Sequence, residues 1–247
     1  MTLDELLKDR SEEAKSTYLS HISIDCVVFG FDNGTIKVLL VRMKGKRHWM
    51  LPGGFVENHE DIDDAAIRIL TARTGADKVY LQQFATFGKK DRSQAFFKQS
   101  PALWHAQRFI SIGYFAMVDF NQVIPVADDI SDKCEWLPLQ ELPALAMDHS
   151  TILSKALKTL QTQVNYQPIG LNLLPQEFTL PELQKLYESI LGRTLNRGNF
   201  YRKIMALDIL EKLDEPRKGG AHKAPNLYSF NVKKYNEAFE NGIYDRW

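Results

Sequence analysis

Apolar residues follow two different periodicities along this chain, and the change from one to the other divides it. After a charged, amphipathic arm (residues 1–20), the runs ISIDCVVFGF (22–31) and IKVLLVRM (36–43) are dense in β-branched residues and are separated by Asp32, Asn33 and Gly34. Such runs across an Asn-Gly turn predict a β-hairpin, because both central turn residues must take positive φ. VYLQQFATF (79–87), RFISIGYFAMVDF (108–120) and CEWLPL (134–139) predict further strands. Helical patterns lie at about 61–74, closed by Gly75, and at TILSKALKTLQTQV (151–164); a glycine just past the last turn is a common helix terminator. Mixed strands interleaved with helices imply an α/β sandwich over residues 21–160.

A connector (161–175) follows, and beyond it, from 176 to 247, helical spacing takes over. In FTLPELQKLYESILG (178–192) Thr179 and Glu182 have capping-box spacing, Pro181 falls in the first turn, and Leu183, Leu186, Tyr187 and Ile190 share one face. A second helix is predicted from Asn196 to Leu210, with Phe200, Ile204, Leu207 and Leu210 apolar. The Gly/Pro-rich, basic stretch EPRKGGAHKAPN (215–226) then leads into the strand-like LYSFNV (227–232). Helix, tight turn, helix and basic loop outline a winged helix-turn-helix.

Composition changes this picture little. At 44% hydrophobic and 25% charged residues the chain is an ordinary globular protein. It has no apolar run of membrane-spanning length and an N-terminus too charged for a signal peptide, so a cytoplasmic protein with no membrane partner is expected. Cys26 and Cys134 are distant and lack a CxxC partner, which predicts buried free thiols without a disulfide or zinc site. The formal net charge of zero hides an asymmetry: ten basic residues against four acidic ones between 193 and 234. A local basic patch of that kind is the electrostatic footprint of a nucleic-acid reader.

The stretch LPGGFVENHEDIDDAAIRILTARTGA (51–76) carries the chemistry. It resembles the signature of the Nudix family, G-x5-E-x7-R-E-U-x-E-E-x-G-U, with Gly54, Glu60, Arg68 and Gly75 on their positions. In active members the glutamates of that signature hold Mg²⁺, which bridges a diphosphate and activates water. Here the corresponding positions are Ile69, Ala72 and Arg73. Asp63 and Asp64 are no substitutes, since Asp64 lies about 12 Å along the helix axis from position 72. The expectation is a pocket that recognises without cutting: no catalytic residue, no metal and no cofactor. The alternative is a Nudix hydrolase acting on ADP-ribose or a related nucleoside diphosphate with non-standard metal ligation.

A Nudix-like α/β/α sandwich with a mixed sheet, lacking its metal glutamates and followed by a winged helix, is similar to the Nudix-related transcriptional regulators of the NrtR and AraR type. VYLQQFATFGKKDR, RFISIGYFAMV, ELPALAMDH, PIGLNLLPQEFTLPELQKLYESI and NRGNFYRKIMALDIL carry the likeness across residues 20–235. The resemblance implies a ligand-responsive regulator that senses an ADP-ribose-like nucleotide sugar or a pentose such as arabinose. It also implies a homodimer on palindromic double-stranded DNA. The expected effector-binding residues are Arg42, Gly53, Gly54, Glu60, Arg68, Arg92 and Arg108. Those expected at DNA are Arg197, Asn199, Arg202 and Lys203 on the second helix and Arg217, Lys218, His222 and Lys223 in the wing. One stretch departs from the pattern: SQAFFKQSPALWHAQ (93–107), whose Phe96, Phe97, Trp104 and His105 form either a lid, a dimer contact or a locally packed insertion.

Overall fold

A computed structural model describes residues 3–75, 79–93, 96–97, 102–214 and 225–242. The chain forms two compact units, the first built from 1–30, 37–118 and 122–156, the second from 31–36, 119–121 and 157–247.

In the first unit α1 (Leu3–Thr17) precedes the long strand β1 (Tyr18–Asp32), which turns into β2 (Thr35–Met43). Asn33 (φ 48°) and Gly34 (φ 76°) supply the two positive φ values that the hairpin requires. Strands β5 (Tyr80–Phe87), β6 (Ile110–Met117) and β7 (Ser131–Pro138) fall where the apolar runs predict them, and two more arise around the glycine pair, β3 (Trp49–Met50) and β4 (Gly53–Glu57). These last two escape periodicity because they are short and are set by pairing, β3 with β2 and β4 with β1. The mixed sheet runs β3-β2-β1-β6-β5, with β4 also on β1 and β7 on β2; β1 and β6 are parallel, whereas β1–β4, β2–β3, β2–β7 and β5–β6 are antiparallel. β1 is buried continuously from Ser23 to Phe31, as befits a central strand covered on both faces.

Helix α2 (Ile62–Thr74) starts after Asp61 and ends on Gly75 at φ 65°, within a residue of the sequence expectation. Its Ala65, Ala66, Ile69 and Leu70 pack with Ile24, Cys26, Val28, Val56 and Tyr114 into one core. The opening arm is a helix docked on its own domain: Leu7 packs with Met43, Leu103 and Ala106, and Ala14 with Trp104 and Phe109. The 93–107 insertion supplies Leu103, Trp104 and Ala106 among those partners, so Trp104 is buried beneath α1 and against Phe55 and Phe109, a local packing role. Cys26 is buried as expected, whereas Cys134 is only partly so. α3 (His149–Gln163) completes the series and leads into the second unit.

There α4 (Leu180–Leu191) has the full capping box: the Thr179 hydroxyl accepts from the Glu182 amide and the Glu182 carboxylate from the Thr179 amide. α5 (Arg197–Ala206) is shorter than its apolar spacing predicts. It breaks at Asp208 (φ 52°), and Leu210 joins β8 (Leu210–Lys212), which pairs with β9 (Tyr228–Phe230). Aspartate tolerates that left-handed conformation better than most residues. α6 (Val232–Asn241) was not anticipated; Asn231 caps it, and the Tyr235 hydroxyl donates to the Pro168 carbonyl at 2.7 Å. Among the described residues no helix is long and apolar enough to cross a membrane.

Replacing Thr179 with alanine removes the acceptor at the α4 N-terminus and is expected to lower stability by about 1 kcal/mol. A urea titration of the α-helical signal, compared with wild type, reads this directly.

Candidate functional site

The first unit encloses a cavity of about 770 Å³ between α1, the glycine pair, the second half of α2 and the segment 126–131. Gly53 forms part of its wall because nothing larger fits. A Cβ there would lie 2.7 Å from the Ile24 carbonyl oxygen and 2.9 Å from Asp25 Oδ1. Gly54 lies over Ile69, whose side chain a Cβ would approach to 3.0 Å.

Asp25, the one charge inside the buried run of β1, anchors the floor. Arg92 Nη2 and Ser111 Oγ each donate to Asp25 Oδ2 at 2.6 Å, and Arg92 Nε donates to both Asp148 oxygens at 3.0 and 3.1 Å. Burial penalises the Asp25 charge; the facing His149 ring, the guanidinium and the hydroxyl together outweigh it and hold the carboxyl below its usual value. His149 accepts from the Leu51 amide through Nδ1 at 2.8 Å, which leaves its proton on Nε2, 3.6 Å from Asp25 Oδ1. Burial keeps this ring below the ordinary imidazole pKa despite the pull of Asp25, and it brings His105 down to about 4.

Glu60 and Arg68 brace the loop against α2. Arg68 Nε donates to Glu60 Oε2 at 2.9 Å and Nη2 to the Phe55 carbonyl at 2.9 Å, while Glu60 Oε1 accepts from the Glu57 amide at 2.7 Å. Of the residues expected at the effector, Gly53, Gly54, Arg68 and Arg92 line the cavity. Arg42, Glu60 and Arg108 are not in its wall. Arg42 is held by Asp132 (2.9 and 3.1 Å) over the Trp49 ring, and Arg108 is exposed, its carbonyl meeting His21.

The charged lining also includes residues that the sequence does not assign to the effector, among them Arg10, Asp25, Arg73, Asp128 and Asp129. Arg73 Nη2 lies 2.5 Å from Asp128 Oδ2, and Arg10 pairs with Asp129 and, at 3.8 Å, with Asp128. Asp25 did carry a signal, as a carboxylate stranded among β-branched residues. The ion pairs carried none, since their partners are far apart in sequence.

In the second unit Phe200 of α5 meets Tyr187 of α4 edge-on with ring centroids 5.3 Å apart. Glu188 ties the intervening turn by accepting from the Leu195 amide at 2.9 Å and from Gln184 at 3.0 Å. With Phe200 and Ile204 inward, Arg197, Asn199 and Arg202 are exposed and Lys203 is half-buried. Arg202 Nη2 donates to Asn199 Oδ1 at 3.2 Å, and the Arg197 guanidinium sits 5.1 Å from the Tyr201 ring centroid. Arg217, Lys218, His222 and Lys223 lie outside the described residues.

Comparison with known proteins agrees with both halves. Residues 19–158 match the NUDIX domain and residues 170–230 the NrtR DNA-binding winged helix domain. The ADPR responsive transcriptional repressor NtrR of Acinetobacter baylyi is 32% identical over 233 residues, 91% of this chain and 88% of that protein. The chain belongs to the NrtR-type Nudix-related transcriptional regulators. The NrtR fold is also seen in the crystal structure of Shewanella oneidensis NrtR complexed with a 27mer DNA, which aligns with a TM-score of 0.75 at 24% identity, covering 92% of this chain and all of that one. A MutT/nudix family protein from Enterococcus faecalis aligns at 0.66 and 22% identity, over 86% and 88% of the two chains.

The divalent ion that the Nudix signature holds in active members has no matching donors among the described residues of this NrtR-type chain. A hard cation needs clustered oxygens. Positions 69 and 72 offer only hydrocarbon, and position 73 offers a guanidinium already paired with Asp128. Asp63, on the first turn, accepts from the Tyr114 hydroxyl. Among the described residues no group of three or more His, Cys, Asp or Glu side chains is placed to hold a metal. The donor set does not fit the ion.

Arg92→Met would leave Asp25 and Asp148 without their cation and is expected to cost about 3–5 kcal/mol. For His149 and His105, whose folded-state pKa values are depressed, the unfolded chain binds more protons. Their contribution is present above pH 6.5, the unfolded value, and is lost as pH falls below it, for His105 down to about 4. Urea midpoints measured from pH 7 to pH 4 should fall, and a His105→Gln/His149→Gln variant should show a flatter slope.

Proposed function

We propose that this protein is a ligand-responsive transcriptional repressor. Its first unit senses an ADP-ribose-like nucleotide sugar, and its second reads operator DNA through α5 and the following wing. The observation that carries the reading is the pairing, in one chain, of a roomy Nudix cavity whose metal-ligand positions are Ile69, Ala72 and Arg73 with a helix-turn-helix exposing Arg197, Asn199 and Arg202. The same donor set argues against hydrolysis, which needs an activated water that no side chain at those positions supplies.

The choice of effector leans on the Acinetobacter relative, whose name describes a response to ADPR. A pentose such as arabinose is the competing ligand. Arg68 and Arg92, with the glycine pair that lets backbone approach closely, form the proposed effector site; Glu60 acts there by holding Arg68, and Arg42 and Arg108 stand outside the wall. On DNA, Arg202 and Asn199 would face bases in the major groove, and Arg197 and Lys203 phosphates, with Arg217, Lys218, His222 and Lys223 on the backbone beside it. Two copies on a palindrome follow from the symmetry such operators impose.

Retardation of the protein's own upstream DNA tests this. Binding should weaken by roughly a thousandfold or more between 50 and 200 mM salt if six or more phosphates are contacted. Arg202→Ala should lose about 1–3 kcal/mol of specific binding with an unchanged melting temperature. ADP-ribose should change the retardation and arabinose should not. If no regulatory fragment shifts at low salt, the reading fails; release of AMP from ADP-ribose with Mg²⁺ would restore the hydrolase alternative.

A further inference from the structure

Four guanidinium groups line the cavity, those of Arg10, Arg68, Arg73 and Arg92, against five carboxylates, those of Asp9, Glu13, Asp25, Asp128 and Asp129. With its two histidines neutral, the lining is net negative by one. A diphosphate brings about two negative charges, so in this arrangement it would be repelled. Favourable binding therefore needs a guanidinium turned toward the phosphates and, locally, away from its carboxylate.

The four arginines are not equally available. Arg92 is almost sealed, with a side chain 4% exposed and carboxylates on both sides. Arg68 spans Glu60, Glu57 and the Phe55 carbonyl, so moving it would release the loop from α2. Arg73 differs. It reaches the wall from the last turn of α2, and its ion-pair partner, Asp128, sits on the irregular segment between β6 and β7. That segment is itself hung on α2 by the Val126 amide, which donates to the Arg73 carbonyl at 3.0 Å, and the Ile124 amide, which donates to that of Thr74 at 3.2 Å. Asp128 also faces Arg10 of α1.

Position 73 is one at which the Nudix signature carries an ion-ligating glutamate, and the ion does not fit here. The disagreement has a constructive side, because the same spot now holds the opposite charge. Resting on the reading of the cavity as a site for a nucleoside diphosphate sugar, we propose that Arg73 is the metal-free anchor for the ligand's diphosphate, with Asp128 occupying it in the ligand's absence. A guanidinium offers a planar fork of donors that matches two phosphate oxygens and keeps its charge at any physiological pH. Entry of the diphosphate exchanges one Arg73 pair for another and releases Asp128, and that release also frees one of the two carboxylates facing Arg10. The ligand therefore alters how α1 and the 124–131 segment are tied to α2, a contact change that discriminates between bound and free states.

The test is calorimetric titration of the full chain with ADP-ribose in EDTA, with arabinose and adenosine as uncharged probes. Wild type should bind ADP-ribose equally well with EDTA and with Mg²⁺. Arg73→Gln should weaken binding by about tenfold or more, the loss of one charge-assisted contact. Asp128→Asn should lower the melting temperature of the free protein, because Arg73 loses its partner, yet bind ADP-ribose more tightly. A merely structural pair predicts the opposite sign for Asp128→Asn. If wild type binds ADP-ribose and Arg73→Gln stays within about twofold of it, or Asp128→Asn binds more weakly, this inference falls while the nucleotide-sugar reading stands. If wild type binds only arabinose, both fall. Should Arg73→Gln not fold, the sign of the Asp128→Asn change decides alone.

Discussion

A guanidinium enclosed on most sides must find an anion, and in this protein that requirement organises the cavity of the first unit. The Arg73 side chain is 13% exposed, so its charge is poorly hydrated and its pairing with Asp128 is far from the screened surface pairs that contribute almost nothing. Satisfying it draws the 124–131 segment onto the end of α2, where two backbone hydrogen bonds hold it. Through Asp128 and Asp129 it also gives Arg10 of α1 its partners. One residue type at one helical position thus sets the position of three pieces of chain that share no sheet.

The opposite wall depends on a second buried network. Asp25 on β1, Arg92 at the entrance to the 93–107 insertion and Asp148 just before α3 are joined by one guanidinium, with the His149 ring filling the remaining space. Gly53 passes so close to Asp25 that its missing side chain is part of the same arrangement. Such a network stabilises less than an apolar cluster of equal size would, but it admits only one geometry, because displacing any member leaves a buried charge alone.

What could be read from residues in order follows from how far each determinant reaches along the chain. The Asn33–Gly34 hairpin, the span of α2 and the capping box of α4 are decided by neighbours within four residues, and all three appear as their patterns indicate. β4 and the docking of α1 are decided by partners far away, Ile24 and Asp25 for one and Trp104 for the other, and periodicity does not register them. α5 shows the boundary between the two cases. Its apolar spacing continues to Leu210, yet Asp208 turns left-handed and the last apolar residue is given to a strand. The candidate site divides in the same way. The missing glutamates are a matter of spacing and visible at once, whereas the Arg73–Asp128 pair joins residues 55 positions apart.

Of the three glutamate positions of the signature, Ile69 and Ala72 only remove a carboxylate, whereas Arg73 puts the opposite charge in its place. A divalent ion both holds a diphosphate and activates the water that cleaves it, so affinity and turnover rise together. A guanidinium separates them, because it matches phosphate oxygens but has no bound water and is too weak a base to generate a nucleophile. A sensor requires that separation, since occupancy reports concentration only when the site leaves its ligand intact. It also requires that ligand binding be worth something to one conformation and not another, for no effector shifts an equilibrium by more than its differential affinity. In the exchange proposed for Arg73, a carboxylate that must leave when the diphosphate arrives would supply that difference within the cavity itself, because the same arginine cannot serve both anions at once.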